Sequence, residues 1–200
     1  MAPVQPRYSK WRIAFTLLLA FKVLCFTSPA VRVLADHAEV TVTGSAGTVD
    51  DQDLAEYEVR NQFATIKSSV ASGTVVYRYQ LPATNNFEDG CGCTYNTRIR
   101  YRDTGPNQTI IVRLRAALLT GDGVETIYTF NSNTGDGTDP APPNMNANQT
   151  FDGGFTAPGD HIVHGRYGYF LEVEVTKNSN DGTQDPGFIG FALSDAGISS

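Results

Sequence analysis

The chain has 200 residues, 40% of them apolar and 18% charged, enough apolar material for one packed core and too much for wholesale disorder. Five of the 15 basic residues (Arg7, Lys10, Arg12, Lys22, Arg32) precede Asp36 and all 21 acids lie from Asp36 onward, which leaves ten basic residues and a net charge of −11 in the body. A body this acidic argues against general nucleic-acid binding, which needs positive charge to displace counterions from phosphates. Phe, Tyr, Gly and Thr are plentiful and Lys is scarce, a composition that favours strands over helices.

In chain order, Met1 to Arg12 is basic and polar, Ile13 to Phe21 is apolar without charge, and Ser28-Pro29 breaks any helix. Val33-Leu34-Ala35 offers small or modest residues before a cleavage point. This three-part build predicts a secretory signal peptide over residues 1–35, cleaved after Ala35 and leaving no stable membrane span. The alternative is an uncleaved anchor, although Lys22 and Pro29 interrupt the run of about 20 apolar residues that a spanning helix needs.

Residues 36–72 read as an N-terminal strand (Ala38 to Gly44) and a connecting segment. Thr48 to Glu56 is acidic and loop-like. In Glu58 to Val70, the residues Val59, Phe63, Ile66 and Val70 have helix-face spacing, but the β-branched content leaves a strand pair open. Residues 73–200 read as the main β-sandwich. Val75, Tyr77, Tyr79 and Leu81 alternate on one face. Thr97, Ile99 and Tyr101 alternate with Arg98, Arg100 and Arg102, and Ile110, Val112, Leu114 and Ala116 alternate with Arg113 and Arg115. Strict period two assigns the apolar set to one sheet face and the arginines to the other. Val124 to Phe130, Tyr167 to Val175 and Gly187 to Leu193 complete the strands, with Asp122-Gly123 marking a hairpin. Asn131 to Thr150 reads as one long polar surface loop. About eight strands at this spacing predict an all-β fold, an antiparallel two-sheet, jelly-roll-like β-sandwich following the signal segment.

From about residue 73 to 194, the order of Leu81-Pro82, Tyr101-Arg102-Asp103, Val112-Arg113-Leu114-Arg115, Tyr169-Phe170-Leu171-Glu172-Val173 and Phe188 to Leu193 resembles an uncharacterised β-sandwich module of secreted bacterial proteins. The resemblance implies a sandwich and an extracellular location. The module has no established activity, so no catalytic residue carries over. This chain departs from it after Leu81-Pro82, where a long connection holding Cys91-Gly92-Cys93 replaces a short turn.

Cys91 and Cys93 are the cysteines left after cleavage. Outside the cytosol they read as a Cys-Gly-Cys disulfide, with free or intermolecular thiols and a redox or metal role as alternatives. No zinc ligand set is complete. His161 and His164 read as surface histidines. The frame Asn131 to Gly137 invites calcium but slips from the calcium-loop pattern, so plain loop turns and no cofactor are expected, with a calcium ion as the alternative.

The arginines Arg98, Arg100, Arg102, Arg113 and Arg115 make the least ordinary pattern. If their strands are neighbours they share one face, either solvated and paired with Glu172 and Glu174 or binding an anion. Tyr167 and Tyr169 are candidate sugar platforms beside them. No catalytic motif is present, and Glu172 and Glu174 alone suggest little. The expected function is a secreted, non-catalytic module binding an extracellular polymer such as a glycan; the alternatives are a structural protein of matrix or cell-surface assemblies and an extracellular hydrolase.

Overall fold

In the computed structural model, which describes residues 39–82, 94–121, 123–143, 147–156, 167–179 and 184–195, the alternating segments become strands. These residues belong to one unit, 36–200; residues 1–35, read above as a signal segment, and Cys91, Cys93, His161 and His164 lie outside them. Eleven strands run through the described residues: β1 (Glu39–Thr43), β2 (Thr48–Val49), β3 (Tyr57–Arg60), β4 (Phe63–Ile66), β5 (Gly73–Gln80), β6 (Thr94–Arg102), β7 (Gln108–Leu118), β8 (Val124–Asn131), β9 (Gln149–Thr156), β10 (Tyr167–Lys177) and β11 (Gly187–Asp195). Among these residues there is no α-helix, only 3-10 turns at Gly44–Ala46 and Asp51–Asp53.

The strands form two antiparallel sheets. The first has the order β3-β4-β11-β6-β9, with β1 joining β11 beside β4; the second has the order β2-β5-β10-β7-β8. Consecutive strands β5, β6 and β7 therefore switch sheets, and β10 and β11 return between strands laid down earlier. This is the double Greek-key path of a jelly roll, as the sequence predicts. The ambiguous segment after Glu58 is the hairpin β3–β4, in which Asn61 takes the positive φ of 55° that a two-residue turn needs and Asn tolerates. The helix-like spacing there has no structural counterpart, and Val59 is left exposed. Two expected loops hold strands: β2 docks on β5, and β9 begins at Gln149 within the segment read as loop.

The core lies between the sheets. Val75, Tyr77, Tyr79, Ile99, Tyr101, Ile110, Val112, Leu114, Leu171, Val173 and Val175 are buried from the predicted alternations, and Phe130, Phe151, Phe188, Phe191 and Leu193 fill the space between. Three tyrosines of the second sheet cross this core, with the hydroxyls of two bonded to the first sheet and that of the third to the 3-10 turn after β1. Tyr77 donates to the Thr65 carbonyl at 2.6 Å and Tyr79 to the Gly44 carbonyl at 2.9 Å, while Tyr128 accepts from Thr97 at 3.1 Å.

One end of the sandwich is closed by polar groups. Asp103, the acid of the Tyr101-Arg102-Asp103 run, is fully buried where β6 ends. Its carboxylate accepts from the Ser132 hydroxyl at 2.5 Å and the Gly105 N–H at 3.2 Å, and Ser132 in turn accepts the Ile110 N–H at 2.9 Å. Burial pushes the Asp103 carboxyl above the usual carboxylate range, against the downward pull of the Ser132 and Gly105 hydrogen bonds. A value raised in the folded state gives stability that is complete below the unfolded value and is lost as pH rises through the folded one. Asp103→Ala should cost about 2 kcal/mol by orphaning these donors. Asp103→Asn, uncharged at every pH, should gain in urea midpoint relative to wild type between about pH 4 and neutrality. An equal difference at both ends of that range would mean that the carboxyl titrates normally.

Candidate functional site

Each sheet turns its polar residues outward, and the two outer faces differ. On the second sheet, β10 lies between β5 and β7 in a register that sets Glu172 opposite both Arg78 and Arg113. Glu172 lies 3.7 Å from Arg78, 3.6 Å from Arg113 and 3.9 Å from Arg115. Arg113 also meets Glu174 at 3.0 Å, and Arg78 bonds Asp50. Three guanidiniums and three carboxylates thus alternate across this face, and the Glu172 side chain is only 17% exposed. The two glutamates are engaged as counter-ions, which is the solvated-face reading of these residues.

On the first sheet, β6 runs between β11 and β9 and presents Asn96, Arg98 and Arg100 outward. Its neighbours on that face are small: Arg98 is flanked by Ala192 and Asp152, and Arg100 by Gly190 and Thr150. Long side chains beside short ones leave a groove of about 700 Å³ whose lining includes Asn96, Arg98, Asp139, Asp152, Ala192 and Ser194. Gly190 is small for a backbone reason, since a Cβ there would stand 2.8 Å from the Val42 carbonyl. The ion pair on the groove wall, Arg98 to Asp152 at 2.6 Å, is 64% and 61% exposed and so adds little to stability.

The β8–β9 loop supplies one wall. The Asp136 carboxylate accepts N–H bonds from Thr138 and Asp139, both at 2.9 Å, and the Tyr128 hydroxyl at 3.2 Å, folding the loop back toward β9. Asn131 caps the Asn133 N–H at 2.9 Å, and Asn133 bonds the Gln108 carbonyl at 3.0 Å. The side chains that suggested calcium are thus engaged in capping turns. Among the described residues no group of three or more His, Cys, Asp or Glu is placed to hold a metal ion.

The structure separates the predicted arginines. Arg98, Arg100 and Arg102 stand on the first sheet, Arg113 and Arg115 on the opposite side of the molecule with Arg78. The condition for a single arginine face is not met, because β6 and β7, though consecutive, belong to different sheets. Tyr169 is also corrected: it is buried in the core, so its ring offers no ligand a platform, and Tyr167 packs against that core with its ring 6.2 Å from the Tyr169 ring. The outward aromatic of that strand is Phe170, which borders a smaller pocket of about 360 Å³ with Thr48, Arg78 and Gln80. Sequence reading missed Asn96, Asp139, Asp152, Ala192 and Ser194. The available signal was Phe151-Asp152-Gly153-Gly154-Phe155, whose alternation marks a strand with an outward acid.

No protein-family model matches the chain, and no curated protein matches it in sequence. Among solved structures it is similar to the CBM36-1 domain of a multidomain xylanase from the hindgut metagenome of Trinervitermes trinervoides, at 17% identity and TM-score 0.36 over 80% of this chain and 100% of that one. It is also similar to TmCBM27, a carbohydrate-binding module with specific mannan recognition, at 13% identity and TM-score 0.33 over 80% and 96%. Eiger TNF from S. frugiperda is a third, at 12% identity and TM-score 0.30 over 81% and 87%. Superpositions with scores this low carry no argument about what this chain binds.

The contrast between the two faces is measurable. Glu172→Gln removes the counter-ion that three guanidiniums share and should destabilise by about 1 kcal/mol at low salt, less at high salt. Asp152→Asn on the open face should cost less than about 0.5 kcal/mol in the same urea titration.

Proposed function

We propose that this chain is a secreted, non-catalytic β-sandwich module that binds an extracellular polymer, a glycan, in the groove over β6 and β9. The observation that carries the reading is the groove itself. It is a long strand-face depression floored by Ala192, Gly154 and Ser194 and walled by Asn96, Arg98, Asp139 and Asp152. Planar amide, guanidinium and carboxylate groups are suited to the paired hydroxyls of a sugar, because each presents donors or acceptors in a fixed fork. The groove runs along a strand face rather than into a closed cleft, so it admits a chain and not only a chain end. Its described lining holds no aromatic ring, so recognition rests on hydrogen bonds more than on ring stacking. The extracellular setting follows from the signal-like residues 1–35, whose basic start, apolar middle and small residues suit export.

The test is a glycan array probed with the purified protein, followed by calorimetry on the best ligand. Ala192→Trp fills the groove from its floor without touching the core and should abolish binding. Asn96→Ala should weaken it about five- to tenfold, the loss of one or two hydrogen bonds. Loss of binding through Phe170→Ala, with Ala192→Trp unaffected, would move the site to the other sheet and sink the groove reading.

A further inference from the structure

We infer that the polymer taken by this groove is a neutral polysaccharide, read through its hydroxyls by Asn96, Ser194 and Asp139; the inference rests on the groove being the binding surface. The charged residues of the lining are one arginine, Arg98, and two aspartates, Asp139 and Asp152. Arg98 is committed to Asp152: its Nε–H donates to that carboxylate at 2.6 Å, and the two meet a ligand as a pair whose charges offset one another. Arg100, two residues along β6, is not part of the lining. The charge left over in the groove is therefore the Asp139 carboxylate, and the body around it carries a net −11. A carboxylate or sulfate on an incoming chain would give up its water, gain no uncommitted cation from the described lining and meet like charge.

The groups that remain for a ligand suit hydroxyls. Asn96 stands directly opposite Ser194 on β11 and Gly154 on β9. Opposed residues have Cβ atoms about 5 Å apart, so the Asn96 amide and the Ser194 hydroxyl are neighbours, while Gly154 leaves the other flank of Asn96 open. Asn96 and Asp139 are exposed and Ser194 is half-exposed, and among the described residues no hydrogen bond or ion pair holds any of these three side chains. Together they offer an amide with two donors and an acceptor, a hydroxyl that does either, and a carboxylate that only accepts. A sugar hydroxyl both donates and accepts, so it can give its proton to Asp139 and receive one from Asn96 or Ser194. The spacing of these groups is fixed from inside. Asp136 accepts the Asp139 N–H at 2.9 Å and the Tyr128 hydroxyl at 3.2 Å, and Tyr128 accepts from Thr97, the residue after Asn96, at 3.1 Å. One buried hydroxyl thus ties the wall that carries Asp139 to the strand that carries Asn96, and a pre-set spacing lowers the ordering cost of binding.

Matched polymers isolate the charge. The full chain is titrated with the neutral polymers dextran, xylan, glucomannan and methyl-esterified polygalacturonate, and with the acidic partners dextran sulfate and polygalacturonate. The expected result is binding to at least one neutral polymer, with either acidic polymer at least about tenfold weaker than the best neutral one. The neutral affinity should change by less than about twofold between 50 and 200 mM salt, because there is no charge pair to screen. Asp139→Asn and Ser194→Ala should each lower it about fivefold, the loss of one hydrogen bond to the sugar. Tyr128→Phe should lower it by a similar factor, whereas Tyr77→Phe, which removes a buried hydroxyl remote from the groove, should leave it unchanged; circular dichroism checks that each variant is folded. An acidic polymer bound as tightly as the best neutral one, a tenfold salt dependence, or unaltered affinity in both Asp139→Asn and Ser194→Ala overturns the inference while leaving the groove reading intact if Ala192→Trp still abolishes binding. Failure to bind any neutral polymer also overturns it. Binding that survives Ala192→Trp counts against the groove itself.

Discussion

The hydroxyls of Tyr77, Tyr79 and Tyr128 are the constraint from which the rest of the sandwich follows. A buried phenol without a partner costs stability, and these find theirs across the core, Tyr77 and Tyr128 on the opposite sheet and Tyr79 in the 3-10 turn that follows β1. Tyr77 and Tyr79 must therefore point inward at fixed depth, and the residue between them, Arg78, must point out toward Asp50 and Glu172. Tyr128 does the same for the other side of the molecule. By meeting Thr97 it fixes which face of β6 is inside, so Asn96 and Arg98 must be outside. By donating to Asp136 it holds the β8–β9 loop near β9, which brings Asp139 to the groove wall. Core hydrogen bonding thus decides which polar residues meet on the surface.

Much of the fold could be read in the sequence because period-two alternation is local. β5, β6, β7, β8, β10 and β11 were visible from their apolar residues alone, and about eight such segments imply a sandwich. Alternation says which residues share a face of one strand, and nothing about which sheet that strand joins. The arginines of β6 and β7 look equivalent in sequence for that reason and stand on opposite sides in space. β9 was hidden by its Gln149 start, its two glycines and the loop-like residues before it. The β3–β4 hairpin was ambiguous because strands of four residues are too short to establish a period. In sequence Tyr169 looks like a platform because an aromatic next to Phe170 gives no sign of which ring faces out; its ring is buried in the core.

The candidate site was less legible than the fold. Its arginines drew attention as a pattern, but its shape comes from residues with no chemical signature: Ala192, Ser194 and Gly154. These sit on two strands distant in sequence, β11 and β9, and only the pairing of both with β6 brings them together. A groove made by small side chains is invisible until the register is known.

Small residues on an outer sheet face have two causes, and the groove contains both. Gly190 is dictated by the backbone, since a Cβ would stand 2.8 Å from the Val42 carbonyl, and Gly154 is favoured by it, since a Cβ there would stand a tight 3.0 Å from the Tyr95 carbonyl. Part of the depression is therefore a by-product of how closely β1, β11, β6 and β9 approach. Ala192 and Ser194 already carry a Cβ, half-exposed on the outer face, and the backbone sets no such limit on their size. β-Branched or aromatic residues there would suit a strand better and add cross-strand contacts. That the chain keeps them short beside two long arginines, while the opposite sheet fills the equivalent space with Glu172 and Glu174, separates a surface left open from one closed by its own charges.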